Sequence, residues 1–318
     1  MKYAQLGKTD LVVSRICFGC WQLSPKFWGE IPLDEWRAAL NSALEVGVNF
    51  IDTADAYGDG LAEEELGRWL EVSKARDRLV IATKFYHNFE TEVRHPDTSH
   101  DYILRACEAS LRRLRTDRID LYQIHAWDPL TRPDEVASAL GRLKKEGKVR
   151  RFGVSNLNSD QLRMYLRYLD VECLQPLYNL LDRDVEAHEL PLCLEQRIGV
   201  IAYSPLARGL LAGRYNPDQQ FDDHRAGAWR FKGRAFERLL AGIDKLRPLA
   251  EANGLTVAQF AVRWVLTHPA ITSAIVGVKK PEHIMSIAPA ADGTLSIPEW
   301  HEAAAIIAEA QADARSQE

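Results

Sequence analysis

A carboxylate, a phenol, an ammonium group and an imidazole fall at or just past the ends of successive apolar runs in this chain. Asp52 closes Asn49-Phe50-Ile51 and Tyr57 follows on the next loop; Lys84 ends Leu79-Val80-Ile81-Ala82-Thr83, and His125 ends the run 119–124. A phenol with an ordinary pKa of about 10 is a weak acid at neutrality. A neighbouring ammonium favours the phenolate and so makes Tyr57 a more competent proton donor, while Asp52 would keep Lys84 charged and aimed. His125 would hydrogen-bond the reacting oxygen and orient it. Such a set suits a carbonyl that becomes an alkoxide and must be protonated as charge develops. Singly, each side chain has an ordinary structural use: a turn cap, a packed phenol, a solvated strand end, a hydrogen-bonded histidine. Their shared placement is what points to a site.

The elements that must position them alternate almost without interruption. Strand patterns at 16–19, 49–54, 79–83, 119–124, 151–154, 173–177, 200–203 and 272–276 are separated by helical patterns. The helices read as about 33–46, 63–71, one capped by Ser99, 133–146, 159–169, 186–197, 235–253 and 256–267, with a last one at 298–312. The alternation predicts an α/β chain folded as one (β/α)₈ TIM barrel, in which every strand's C-terminal end opens onto one mouth. A doubly wound sheet would carry a glycine fingerprint after its first strand, which Gly19-Cys20-Trp21-Gln22 lacks. Residues 1–14 read as an N-terminal β-hairpin closing the barrel floor. The long loop 207–234 follows strand seven at the catalytic mouth. One domain is expected over 1–318, with 315–318 frayed.

The bulk properties bound the function. With 318 residues, 46% of them apolar and 27% charged, the chain suits a large globular core. A formal net charge of −5 argues against general nucleic-acid binding. The start of the chain lacks an apolar signal region and no run has membrane-spanning length, so a cytoplasmic protein without membrane contact is expected. Cys17 and Cys20 have CxxC spacing, but there is no second such pair, and they end a strand rather than open a helix. Reduced thiols are the expected state, and no metal is expected. A barrel metal hydrolase built on Asp52, Asp55 and His125 would lack the clustered histidines of a catalytic metal site.

Three segments together resemble the aldo-keto reductase superfamily over nearly the whole chain. They are Asn49-Phe50-Ile51-Asp52-Thr53-Ala54-Asp55-Ala56-Tyr57-Gly58, the stretch from Leu140 to Asn156, and Ile275-Val276-Gly277-Val278-Lys279-Lys280-Pro281. The resemblance implies that Asp52, Tyr57, Lys84 and His125 form a catalytic tetrad and that a nicotinamide dinucleotide supplies hydride. It implies that Ser155, Asn156 and Gln175 hold the nicotinamide carboxamide, that Tyr203 stacks on its ring, and that Ser204-Pro205-Leu206 with Gly209-Leu210-Leu211 wrap the pyrophosphate. Gly19, Trp21, Asp52 and Gly277 complete the cofactor-facing set. Lys279 matches a position that pairs with the 2′-phosphate of NADP, so NADP(H) is expected to be preferred, with NAD(H) as the alternative.

The chain also departs from the family pattern. Where many members place a glutamine and then a glutamate-asparagine pair, this chain has His283, Ser286 and Ile287; His283 remains a candidate phosphate donor. Trp127 follows His125 with one residue between, rather than directly. Trp21, Trp28, Tyr86 and Trp127, with Tyr57 and His125, are expected to wall the substrate. Arg225, Arg230, Lys232 and Arg234 lie in the long loop and either fold over the cofactor or are solvated. The expected partner is a small-molecule carbonyl or alcohol, and the expected state is a monomer. The alternative on the same fold is a nicotinamide-binding regulatory or redox-sensing subunit like the potassium-channel β subunits.

Overall fold

Short runs of β-branched and aromatic residues, each followed by an amphipathic helix, close into a parallel barrel in the computed structural model, which describes residues 1–90 and 93–316. A two-stranded antiparallel hairpin comes first, β1 (Tyr3–Gln5) with β2 (Val12–Ser14). The barrel strands are β3 (Ile16–Gly19), β4 (Phe50–Asp52), β5 (Val80–Phe85), β8 (Ile119–Ile124), β9 (Val149–Ser155), β10 (Cys173–Gln175), β11 (Gly199–Tyr203) and β12 (Ile271–Gly277). Their spatial order is β10-β11-β12-β3-β4-β5-β8-β9, closed on itself and parallel throughout. Between β5 and β8, β6 (His87–Asn88) and β7 (His95–Pro96) form a small ribbon on the mouth side.

Side-chain alternation explains both the core and the site. Successive strand residues point to opposite faces, so inward positions recur every second residue. Cys17, Phe50, Ala82, Leu121, Cys173, Ile201 and Ile275 fill the barrel interior, plugged from below by Leu6, Leu11 and Val13 of the hairpin segment. Two residues further along these strands stand Gly19, Asp52, Lys84, Gln123, Gln175, Tyr203 and Gly277. The register brings them level: Gly277 pairs with Gly19, Gly19 with Asp52, Lys84 with Gln123, and Gln175 with Ser155. An apolar layer thus carries a chemical layer directly above it.

The outward strand faces pack under the helices, with Trp36 and Leu40 from Leu33–Glu45 and Phe260 and Trp264 from Val257–Thr267 fully buried. Each such side chain contributes about 1.5–3 kcal/mol relative to exposure. The helix expected over 235–253 is two helices, Gly233–Asp244 and Arg247–Ala252. Pro248 is the reason: its ring has no N–H and would clash with the carbonyl of Asp244, so the first helix ends there. The helix expected over 159–169 stops at Tyr165, and the C-terminal helix runs Ile297–Arg315 from a Ser296/Glu299 capping box. Arg315 is therefore helical, and residues 317–318 lie outside the described residues. The segment after β11 is not a featureless loop. It folds as 3₁₀ turns at Ala207–Ala212, His224–Gly227 and Trp229–Phe231, held by aromatic contacts among Tyr215, Phe221 and Phe231.

Candidate active site

The chemical layer is wired together by hydrogen bonds. Lys84 Nζ donates to Asp52 Oδ1 at 2.6 Å, to the Thr53 carbonyl at 2.9 Å and to the Tyr57 hydroxyl oxygen at 3.2 Å. Lys84 and Asp52 are both buried, at 0% and 2% exposure, so their charges depend on each other. On the other side Asp52 Oδ2 accepts from Gln175 Nε2 at 2.8 Å and from Gln123 Nε2 at 3.3 Å. Both carboxylate oxygens of Asp52 are thus held by buried donors. Gln123 was missed as a candidate, although its place two residues past Leu121 on an inward face signals it.

Burial decides the electrostatics. Desolvation pushes the Tyr57 phenol up to about 12, outweighing the downward pull of Lys84. The ammonium was expected to acidify Tyr57; it limits the rise instead, because the same apolar wall that positions the phenol disfavours phenolate. Lys84 is itself raised: Asp52 and Tyr57 together overcome a desolvation that acts the other way, so it stays charged. Burial, reinforced by Lys84, His87 and Arg94, holds His125 well below the usual imidazole range. Its Nδ1 is buried without a partner among the described residues, so we assign the proton of the neutral ring to Nε2. The His125 and Tyr57 rings meet edge to face at 5.8 Å.

Asp52, Tyr57 and His125 all line one cleft of about 810 Å³, with Lys84 beneath its floor. Of the residues expected to face a cofactor, Gly19, Trp21, Ser155, Asn156, Gln175 and Tyr203 line it. So do Ser204, Pro205, Leu206, Gly209, Gly277, Lys279 and His283. Leu211 does not: it is fully buried in the core behind the wall. Asn156, held at φ +57°, donates to the His125 carbonyl at 3.0 Å and to Ser155 Oγ at 3.0 Å, and accepts from the Tyr203 hydroxyl at 2.8 Å. Ser155 Oγ in turn donates to the Gln175 carbonyl at 2.8 Å.

The substrate wall differs from expectation. Trp21 and Trp28 line the cleft, whereas Tyr86 and Trp127 stand behind its wall, the Tyr86 ring packing on His87 at 4.7 Å. The Tyr86 hydroxyl donates to the Trp127 carbonyl at 3.2 Å, and the Trp127 ring packs on Tyr165. His87 and Arg94 line the cleft instead. Past a strand's end the two-residue alternation no longer governs direction, so the sequence carried no signal for this exchange.

At the far end of the cleft, segment 213–232 meets the turn after β3. His224 Nδ1 contacts the Phe27 carbonyl at 2.6 Å, and its ring lies 4.5 Å from that of Trp28. Trp28 also carries Arg225 at 5.4 Å and Lys279 at 5.0 Å over its ring. Arg225 thus folds over the cleft, Arg230 pairs with Asp182 at 2.8 Å, and Lys232 and Arg234 are not on the cleft wall. Burial, Arg225 and Arg214 push the Lys279 ammonium down.

These residues fit a dinucleotide. The amides of Asn156 and Gln175 and the Ser155 hydroxyl stand at one end, and Lys279, Arg214, Arg225 and His283 stand at the other. Between them Gln22, 8% exposed, presents an Oε1 with no partner among the described residues. Gln22 lies so close over Gly277 that a Cβ there would come within 2.0 Å of its Nε2.

The chain is similar to known proteins over nearly its whole length. A family model described as Aldo/keto reductase family matches residues 15–308. The solved structure of the glycerol dehydrogenase AKR11B4 from Gluconobacter oxydans has a TM-score of 0.89 at 34% identity, covering 96% of this chain and 95% of that one. Aldo-keto reductase YhdN of Bacillus subtilis (strain 168) is 33% identical over 93% of this chain and 90% of its own length. The NADH-specific methylglyoxal reductase of Escherichia coli (strain K12) is 31% identical over 89% and 91%. The chain belongs to the aldo/keto reductase family and is an oxidoreductase that interconverts carbonyl and alcohol groups with a nicotinamide dinucleotide.

Proposed function

We propose that Tyr57 is the proton donor to a carbonyl oxygen, with Lys84, Asp52 and His125 in support, and that the protein prefers NADP(H). The observation that carries this reading is the continuous chain from Asp52 through Lys84 to the Tyr57 hydroxyl, ending in the same cleft as His125. The chemistry supplied by a bound reduced nicotinamide is a hydride to the carbonyl carbon. His125 Nε2–H hydrogen-bonds the carbonyl oxygen and fixes the face that reacts. As negative charge grows on that oxygen, the Tyr57 hydroxyl gives up its proton, and Lys84 compensates the phenolate left behind. Asp52 holds the ammonium charged and aimed without touching substrate. In the reverse direction Tyr57 must first lose its proton to act as base.

Ser155, Asn156 and Gln175 are the natural grip for a carboxamide, since an amide needs both donors and acceptors in one plane. Lys279 supports NADP(H) over NAD(H): it is half-buried among cations that raise its cost, and a phosphate monoester would relieve that repulsion. The Escherichia coli relative, by its name, is NADH-specific. The protein is proposed to work as a monomeric, single-domain cytoplasmic enzyme on a small carbonyl or alcohol.

The test is a fluorescence titration with NADPH and NADH, followed by turnover of an aldehyde and ketone panel by the wild type and by Tyr57→Phe. Turnover lost in the variant, with cofactor binding retained, supports the assignment. Equal turnover by both removes Tyr57 from the role. Tighter binding of NADH than NADPH overturns the cofactor preference alone.

A further inference from the structure

The substrate end of the cleft is basic and polar where an aromatic wall was expected. With Tyr86 and Trp127 behind the wall, the cleft residues next to His125 on this side are His87 and Arg94, both close enough to act on its charge. The His87 ring lies 5.8 Å from that of His125, edge to face, and His125 stands 5.8 Å from Tyr57. A short molecule whose carbonyl oxygen meets Tyr57 and His125 would therefore have its other end beside His87 and Arg94. We propose that Arg94, assisted by His87, makes this protein selective for short carbonyl compounds that carry an anionic group, a carboxylate or a phosphate. The inference rests on the reading of Tyr57 and His125 as the reacting end.

Three observations carry it. First, the Arg94 guanidinium lines the cleft, but its counter-ion does not: Arg94 pairs with Asp59, which is 65% exposed and lies outside the wall. Arg94 is itself 40% exposed, so water screens both partners of this surface pair and holds it weakly, and an anion in the cleft can compete for the guanidinium. Second, Arg94 is held in place, with its guanidinium over the Phe89 ring at 5.4 Å, so less freedom is lost when it forks onto an anion. Third, no carboxylate other than Asp52 lines the cleft among the described residues, and Asp52 is neutralised by Lys84. His87 is pushed down by burial and by Arg94, so it enters as an uncharged hydrogen-bonding ring rather than a second charge.

The experiment compares matched pairs with the holoenzyme: succinic semialdehyde against butanal, and glycolaldehyde phosphate against glycolaldehyde. The wild type should favour the anionic member by about tenfold or more in kcat/KM, the scale expected when one charged hydrogen-bonding group is recognised. The preferred pair tells carboxylate from phosphate. In Arg94→Gln the anionic-to-neutral ratio should collapse towards one through KM; Arg94→Lys should keep part of it. Asp59→Asn, which frees the guanidinium, should raise the ratio. Circular dichroism and cofactor titration check that each variant folds. Equal use of both members by the wild type, or a ratio that Arg94→Gln leaves unchanged, overturns the inference while the reductase reading stands. Failure to reduce any of the aldehydes overturns both.

Discussion

Gln175 Nε2 donates to Asp52 Oδ2 at 2.8 Å, and through this bond the amide end of the cleft is joined to the carboxylate that holds Lys84. The chain runs from the Tyr203 hydroxyl through Asn156, Ser155 and the Gln175 carbonyl, and on from the Gln175 amide to Asp52, Lys84 and Tyr57. Groups proposed to grip the nicotinamide and groups proposed to move the proton are thus one network, in which a displaced member shifts the next.

Replacing Gln175 by Leu should therefore damage both halves at once. The substitution removes a donor to a buried carboxylate as well as one side of the carboxamide grip. A loss of roughly tenfold to a hundredfold in kcat is expected, the cost of misplacing reacting groups, with weaker cofactor binding in the same titration. If affinity falls while kcat is unchanged, the link to Asp52 carries no catalytic weight.

Lys84→Met leaves Asp52 charged and buried without its cation, which costs about 3–5 kcal/mol. Urea unfolding should show that loss. Adding Asp52→Asn should restore part of the stability but none of the turnover. Full additivity of the two substitutions would show that the pair is not coupled.

The two directions of reaction should differ in pH dependence. Tyr57, raised to about 12, is protonated throughout the neutral range. Reduction needs that proton and should stay level from neutrality upward until Tyr57 begins to ionise. Oxidation needs phenolate, whose fraction below the pKa grows about tenfold per pH unit, so kcat/KM for an alcohol should climb through the same range. His125 is lowered well below 6.5 and should add no inflection near neutrality. A bell-shaped reduction profile centred near pH 7 would contradict these assignments.

Trp28 joins the two sides of the far cleft, touching His224, Arg225, Trp21 and Lys279. Ring and cation–π contacts of this kind contribute about 0.5–1.5 kcal/mol each. Trp28→Ala should speed release of NADPH by about tenfold in stopped-flow fluorescence while leaving the Tyr57-dependent step intact in a single turnover. An unchanged release rate would mean that this contact does not limit departure.

Much of this was legible in the sequence for a definite reason. A parallel barrel sends all strand ends to one mouth, so Asp52, Tyr57, Lys84 and His125 were brought together once their strands were recognised. The family resemblance added Ser155, Asn156, Gln175 and Tyr203 by position. Gln123 obeyed the strand period of two and was overlooked only because a glutamine declares no chemistry on its own. Pro248 also marked its helix break for anyone weighing the missing N–H against the apolar pattern.

What only the tertiary structure decided begins where the strands stop. Tyr86 and His87 are neighbours in sequence with rings in contact, yet the histidine lines the cleft while the tyrosine hydroxyl is taken by the Trp127 carbonyl. Leu211 sinks into the core and Arg225 folds back over Trp28, from a segment with no periodic pattern to predict either. The balance at Tyr57 was likewise hidden, because residue types state which charges are near but not how much water has been excluded. Local periodicity dictates direction while backbone hydrogen bonds repeat; beyond them, direction and desolvation are set by contacts between residues far apart in the chain.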